Sequence, residues 1–142
     1  MTPGISNMFF VISSVLFLNH LVGCFWFLMA KLMDFPETCW VSRQLTGWHK
    51  NFDDNPDFDI TPYLPENNYN LWYTMSFYWA LQTLLTVGFG DINGKNMPER
   101  IFCIIWIICA VSFYSYSIGN VANVISSMDM KDENLEAQLQ TL

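Results

Sequence analysis

The residues Thr86-Val87-Gly88-Phe89-Gly90-Asp91 are the one stretch of this chain whose types and order point to a definite chemistry. An ion that leaves water for a protein interior needs oxygens in place of its hydration shell. Backbone carbonyls supply them when successive residues turn their C=O groups toward one axis. A strand that does this alternates between right-handed and left-handed backbone angles. Only glycine enters the left-handed region without steric cost, which explains Gly88 and Gly90. The ion is then held by the carbonyls of Thr86, Val87, Gly88 and Phe89, and the Thr86 hydroxyl adds a ring of oxygens at the inner end. Val87 and Phe89 point away from the axis and wedge the strand against a supporting wall. The same pentapeptide also fits a glycine turn between two elements, so its flanks have to decide.

The elements that must position this strand read as membrane helices. Of 142 residues, 52% are hydrophobic and 13% charged, about half the charged share of a soluble domain. The apolar residues gather in two long blocks, at 8–33 and 101–128, each enough helix (~39 Å for about 26 residues in the first) to cross a ~30 Å hydrocarbon layer with tilt. The aromatic run 71–85 would reach only ~22 Å. A short apolar helix followed by a glycine strand reads as a re-entrant loop, because irregular backbone at membrane depth must line a water-filled path or lie inside protein. The first block has no Lys or Arg before it and is too long for a secretory leader. Three of the four cysteines, Cys24, Cys103 and Cys109, fall inside apolar blocks, and only Cys39 is in the polar stretch. All are expected as free thiols. The net charge of -7 argues against a nucleic-acid partner. Lys31, Lys95, Arg100 and Lys131 are too scattered to fix orientation by charge.

With these flanks in place the chain resembles the pore domain of tetrameric potassium channels. It is most similar to the superfamily with a cytoplasmic cyclic-nucleotide-binding domain: ether-à-go-go-like, plant inward-rectifying, hyperpolarisation-activated and cyclic-nucleotide-gated channels. Asn19-His20-Leu21-Val22-Gly23-Cys24-Phe25-Trp26 resembles their outer helix, and Cys39-Trp40-Val41 the step after it. Tyr78-Trp79-Ala80-Leu81-Gln82-Thr83-Leu84-Leu85 resembles the pore helix. Pro98-Glu99-Arg100-Ile101-Phe102 resembles the start of the inner helix, and Ser112 to Val121 its lower half. The fold class implied is an all-α membrane protein: two transmembrane helices with a re-entrant pore helix and selectivity-filter loop, forming a cyclic tetramer. One chain has one filter strand, and a coordinating ring needs four. The implied function is passive, selective potassium conduction, with potassium as the permeant species, no cofactor and no catalytic residue. The implied partners are three identical or related subunits and the lipid bilayer, with the plasma membrane as the implied location. Voltage-sensor and cyclic-nucleotide-binding domains, usual in the superfamily, would lie outside this chain.

The resemblance also assigns roles. Tyr78, Trp79, Gln82 and Asp91 support the filter. The Trp79 position packs behind the filter, often bonded to a filter tyrosine; Phe89 has no hydroxyl for that bond, which implies a looser brace. Asp91 pairs with Tyr78 or Gln82, and Gln82 can donate to it without like-charge repulsion. Leu85 replaces a small polar residue and makes the upper cavity more apolar. In the inner helix Ala110 stands where relatives often carry a hinge glycine, leaving Gly119 as a lower hinge. Tyr114, Ile118, Val121 and Ile125 recur at helical spacing and are expected to line cavity and gate.

The boundaries expected are outer helix 8–33, turret 34–70, pore helix 71–85, filter 86–91, inner helix 98–128 and the start of a cytoplasmic linker at 129–142. The turret holds Asp34, Glu37, Asp53, Asp54, Asp57, Asp59 and Glu66 against Arg43 and Lys50, which reads as a negative vestibule or as a solvated loop. Asp53 to Asp59 lacks the Gly and terminal Glu of a calcium loop. His20 is expected neutral and hydrogen-bonded between helices, and Leu135, Leu139 and Leu142 to share one side of the linker. Rival readings are a weakly selective cation pore and a non-conducting regulatory subunit.

Overall fold

The structure is a computed structural model and describes residues 3–51 and 61–140. Among these residues it contains four α-helices and one short 3-10 turn at Thr61–Tyr63. The helices are α1 (Pro3–Leu32), α2 (Trp40–Asn51), α3 (Tyr69–Leu84) and α4 (Met97–Gln140). Two of them are long and apolar enough to cross a membrane, over Ser6–Leu32 and Met97–Ser126. α1 packs on both α3 and α4, and α3 also touches α4.

Each helix end has a local cause. α1 closes in a Schellman motif. Phe35 N–H reaches back to Ala30 O at 3.1 Å and Asp34 N–H to Lys31 O at 3.0 Å, with Asp34 left-handed at φ 58°. Aspartate tolerates that region better than most residues. Asn68 starts α3 by accepting from Leu71 N–H at 3.1 Å. Asn96 and Glu99 start α4 reciprocally: Glu99 N–H donates to Asn96 Oδ1 at 3.0 Å, and Asn96 N–H to Glu99 Oε2 at 3.4 Å.

The core is a tryptophan stack at one end of the helices. Trp26 has no exposed surface. It stacks on Trp79 at 4.0 Å between ring centroids and on Trp40 at 5.6 Å, and Trp40 meets Trp72 edge-on at 5.6 Å. Such pairs contribute about 0.5–1.5 kcal/mol each beyond their area. They also lock α1, α2 and α3 into one unit. Lower down, α1 and α3 touch through a glycine. A Cβ at Gly23 would lie 3.2 Å from the Phe77 backbone, beside the bond from Asn19 Nδ2 to Phe77 O at 3.1 Å. Gly23→Ala is therefore expected to push α3 off α1 and to cost about 1–3 kcal/mol, read as a lowered melting temperature of the detergent-solubilised protein.

The helix limits differ from the sequence expectation in instructive ways. α1 starts at Pro3, because proline is tolerated in a first turn, and the 71–85 helix is shifted to Tyr69–Leu84 by the Asn68 cap. The stretch 34–70 is not all loop: it carries α2, whose Trp40 and Val41 are buried. α4 runs unbroken to Gln140, so the expected linker is a continuation of the inner helix. The acidic residues Asp53, Asp54, Asp57 and Asp59 lie outside the described residues, as do the side chains of Leu135 and Leu139 and the whole of Leu142. His20 bonds Tyr73 across α1 and α3, Nδ1 to hydroxyl at 2.8 Å, which is the interhelical role expected of it.

Large apolar side chains cover the outside of α1 and α4, among them Phe10, Phe17 and Phe25 on α1 and Ile104, Ile108 and Ile125 on α4. A patch of that extent does not face water in a monomeric soluble protein.

Candidate functional site

α3 delivers the chain into the 86–91 segment through a second Schellman motif. Thr86 N–H bonds Thr83 O at 3.1 Å and Val87 N–H bonds Gln82 O at 2.9 Å. The left-handed position of that motif is usually glycine. Here it is Thr86, at φ 58°, an unfavourable conformation for a β-branched residue. Gly88 at φ 59° and Gly90 at φ 79° follow. Every second residue from 86 to 90 is thus left-handed, so the alternation begins one step earlier than the two glycines alone indicate. Its first member is set by the helix ending, not by residue type.

Gln82 organises this segment. Its main-chain oxygen accepts from Val87 N–H and, at 3.4 Å, from Gly88 N–H. Its side-chain Oε1 accepts from Phe89 N–H at 2.9 Å, and its Nε2 donates to Asp91 Oδ1 at 3.0 Å. An amide has both the acceptor and the donor this requires. The same Asp91 oxygen accepts Ile92 N–H at 2.9 Å. Partial desolvation pushes the Asp91 carboxyl up, but the hydrogen bonds from Gln82 and Tyr78 outweigh it and hold the group below the usual carboxylate range. The Tyr78 hydroxyl is held above its usual value by desolvation and by its bond to the carboxylate.

Within one chain Trp79 packs on the aromatic core. It stacks on Trp26 and lies near Phe102, with centroids 6.4 Å apart. Phe89 stands 71% exposed, and Val87 and Leu85 are also exposed. Among the described residues of one chain no wall fully covers these three side chains. A groove of about 410 Å³ opens between α3 and α4, lined by Trp79, Thr83, Arg100, Cys103, Ile104 and Ile107 among others.

Two residues that sequence reasoning passed over, Gln44 and Asn93, hold the far end of the segment together with Glu99, which the sequence already places at the start of the inner helix. Gln44 of α2 donates to Asp91 O at 2.9 Å, Asn93 Nδ2 donates to Gly90 O at 2.9 Å, and Glu99 gathers the loop before α4. The Asn96–Glu99 spacing is a readable capping signal, whereas nothing local marks Gln44 or Asn93.

On α4, Ile118, Gly119, Val121 and Ile125 are exposed and Tyr114 is half-buried. The packed side of the helix runs through Trp106, Ala110 and Ser117, so Ala110 faces the core, where a small side chain fits. Tyr114, Ile118 and Ile125 lie to one side of that line, on the strip that continues below Ile104 and Ile107 of the groove. Val121 is drawn toward α1, sharing a small cavity with Asn7, Met8 and Val11. Gly119 lies on the opposite side, in unbroken helix.

The sequence profile described as ion transport protein matches residues 4–133. The potassium channel AKT1 of Oryza sativa subsp. indica is 27% identical over 132 residues, 92% of this chain and 12% of its own length. Potassium channel AKT2 of Oryza sativa subsp. japonica is 32% identical over 117 residues, 81% of this chain and 12% of its own. Potassium channel KAT2 of Arabidopsis thaliana is 29% identical over 126 residues, 87% of this chain and 16% of its own. The chain spans less than a fifth of the length of these curated relatives.

Proposed function

This chain belongs to the ion transport protein family, not to an enzyme family, and on that premise we propose that it is the pore module of a potassium-selective channel. Four copies surround one axis. Each contributes α1 and α4 as membrane-spanning helices, α3 as a re-entrant pore helix and 86–91 as its filter strand. The observation that carries this reading is the left-handed backbone at Thr86, Gly88 and Gly90. Alternation of this kind turns successive carbonyls of Thr86, Val87, Gly88 and Phe89 to one side, and four such strands enclose a ladder of potassium sites. The relatives' names, all potassium channels, support the choice of ion.

The tetramer gives the exposed residues a role. Phe89, Val87 and Leu85 need a wall, and the groove between α3 and α4 of an adjoining copy provides apolar surface for one. Tyr114, Ile118 and Ile125 face the water-filled cavity below the filter. Gly119 is the place where α4 bends most cheaply, since it carries no side chain to repack.

Reversal potentials decide the selectivity. With potassium and sodium exchanged across the membrane, the current is expected to reverse where the potassium gradient dictates. A reversal that tracks sodium equally well would make this a weakly selective cation pore instead.

A further inference from the structure

We propose that Glu99 is a positioning residue for the outer end of the filter: its buried carboxylate ties α2 to α4 and, through Gln44 and Asn93, fixes the carbonyls of Gly90 and Asp91. The proposal rests on the channel reading above.

Glu99 has no exposed surface, and a carboxylate in that setting is costly unless hydrogen-bonded. It accepts three backbone donors. Trp40 N–H reaches Oε1 at 3.1 Å, while Lys95 N–H and Asn96 N–H reach Oε2 at 2.7 and 3.4 Å. An ordinary helix cap needs only the Asn96 contact, which is the longest of the three. The two shorter bonds go elsewhere: one to the first residue of α2, the other to the loop that returns from the filter. Trp40 and Asn96 stand at the starts of α2 and α4, where helix N–H groups lack partners and the helix dipole favours an anion.

Both bonds lead back to the filter. One turn along α2 from Trp40 lies Gln44, whose amide holds Asp91 O. Two residues before Lys95 lies Asn93, whose amide holds Gly90 O. The loop between them is pressed onto α4 at Gly94, where a Cβ would come within 3.1 Å of the Glu99 and Arg100 backbone. Glu99 is therefore the common anchor of two relays that end on adjacent carbonyls. Displacing it frees both.

The experiment compares Glu99→Ala, Glu99→Gln and Gln44→Ala in the full chain. The readouts are decay of potassium current during maintained opening and the amount of protein in the membrane. Glu99→Ala is expected to hasten decay about tenfold through loss of charge-assisted bonds, and Gln44→Ala to hasten it less. The double variant Glu99→Ala/Gln44→Ala is expected to decay little faster than Glu99→Ala, as residues in one relay are not additive. Wild-type decay in Gln44→Ala and in whichever Glu99 variant assembles, with only the protein amount reduced, would overturn the proposal and leave Glu99 a helix cap. Failure of the channel reading looks different: the unaltered chain then carries no current that depends on Gly88. Amide exchange still reads the anchor in that case. Glu99→Ala is expected to speed exchange at Trp40, Lys95 and the Asn93 side-chain amide. Unchanged exchange at all three would overturn the proposal independently of current.

Discussion

Gly88→Ala is expected to abolish potassium current while leaving the protein assembled in the membrane. Gly88 sits at φ 59°, and a Cβ there would meet nothing within 4 Å. Sterics with neighbours are thus not the obstacle. The cost is conformational, about 1–2 kcal/mol for an L-residue in the left-handed region. In a single loop that would be tolerated. In a ring of four strands it recurs four times, for a total of about 4–8 kcal/mol. The strained residue relieves it by rotating toward negative φ, which swings the adjoining peptide and takes its carbonyl off the axis. One missing ring breaks the ladder of oxygens that replaces ion hydration. Gly119→Ala is the control. A Cβ there also meets nothing within 4 Å, but the residue lies in unbroken helix, where alanine gains about 0.5–1 kcal/mol. It is expected to keep potassium selectivity. Currents are measured together with surface protein, so that loss of conduction is not confused with loss of folding. Wild-type current in Gly88→Ala would remove the carbonyl ladder as the basis of conduction.

The contrast between these two glycines also shows what sequence can and cannot reveal here. The two spanning helices were legible because length and apolar content in a membrane leave few alternatives. The 86–91 segment was legible only together with its flanks, because the two glycines alone fit a turn equally well. Thr86 as a third left-handed residue was not, since its conformation comes from the hydrogen bonds that end α3 and not from its own preference. α2 was missed because the stretch around it is polar and acidic and reads as loop; only the burial of Trp40, stacked on Trp26 of α1, and of Val41 makes it a fixed element. What Trp79 stacks on within the chain was hidden for a related reason. Its partner Trp26 is 53 residues away in the chain, and no local spacing announces a stacked pair. Gln82 was read as a partner for Asp91, and that bond is present at 3.0 Å. Its second bond, to Phe89 N–H, changes the meaning of the missing Phe89 hydroxyl. The strand is held from its backbone side instead.

Gln82→Glu tests that hold, and it is expected to convert a pore indifferent to moderate acid into one governed by pH. In the native protein the brace does not titrate at Gln82. Asp91 has its carboxyl held below the usual range, so its contribution is present above the ordinary carboxylate pKa, about 3.9, and is lost only as pH falls through the lowered native value. External acid from neutrality to about pH 5 therefore leaves the native filter unaffected. The substitution puts a second carboxyl where Nε2 now lies, 3.0 Å from Asp91 Oδ1. Two carboxylates that close cannot both ionise cheaply, so the pair holds one proton well above the ordinary range. While that proton is present, the new group donates to Asp91 much as the amide does, and its other oxygen still accepts Phe89 N–H. As pH rises through the raised pKa the donor is lost and two like charges face each other. The sign is thus opposite to acid damage: filter stability falls with rising pH. Current decay during maintained opening is expected to match the native protein at low pH and to quicken about tenfold on the alkaline side, the equivalent of about one lost charge-assisted hydrogen bond. Gln82→Ala, which removes donor and acceptor together, is expected to decay fast at every pH. A flat pH profile in Gln82→Glu, with native kinetics throughout, would mean that this side chain does not brace the filter and that the hold on Phe89 comes from the adjoining subunit.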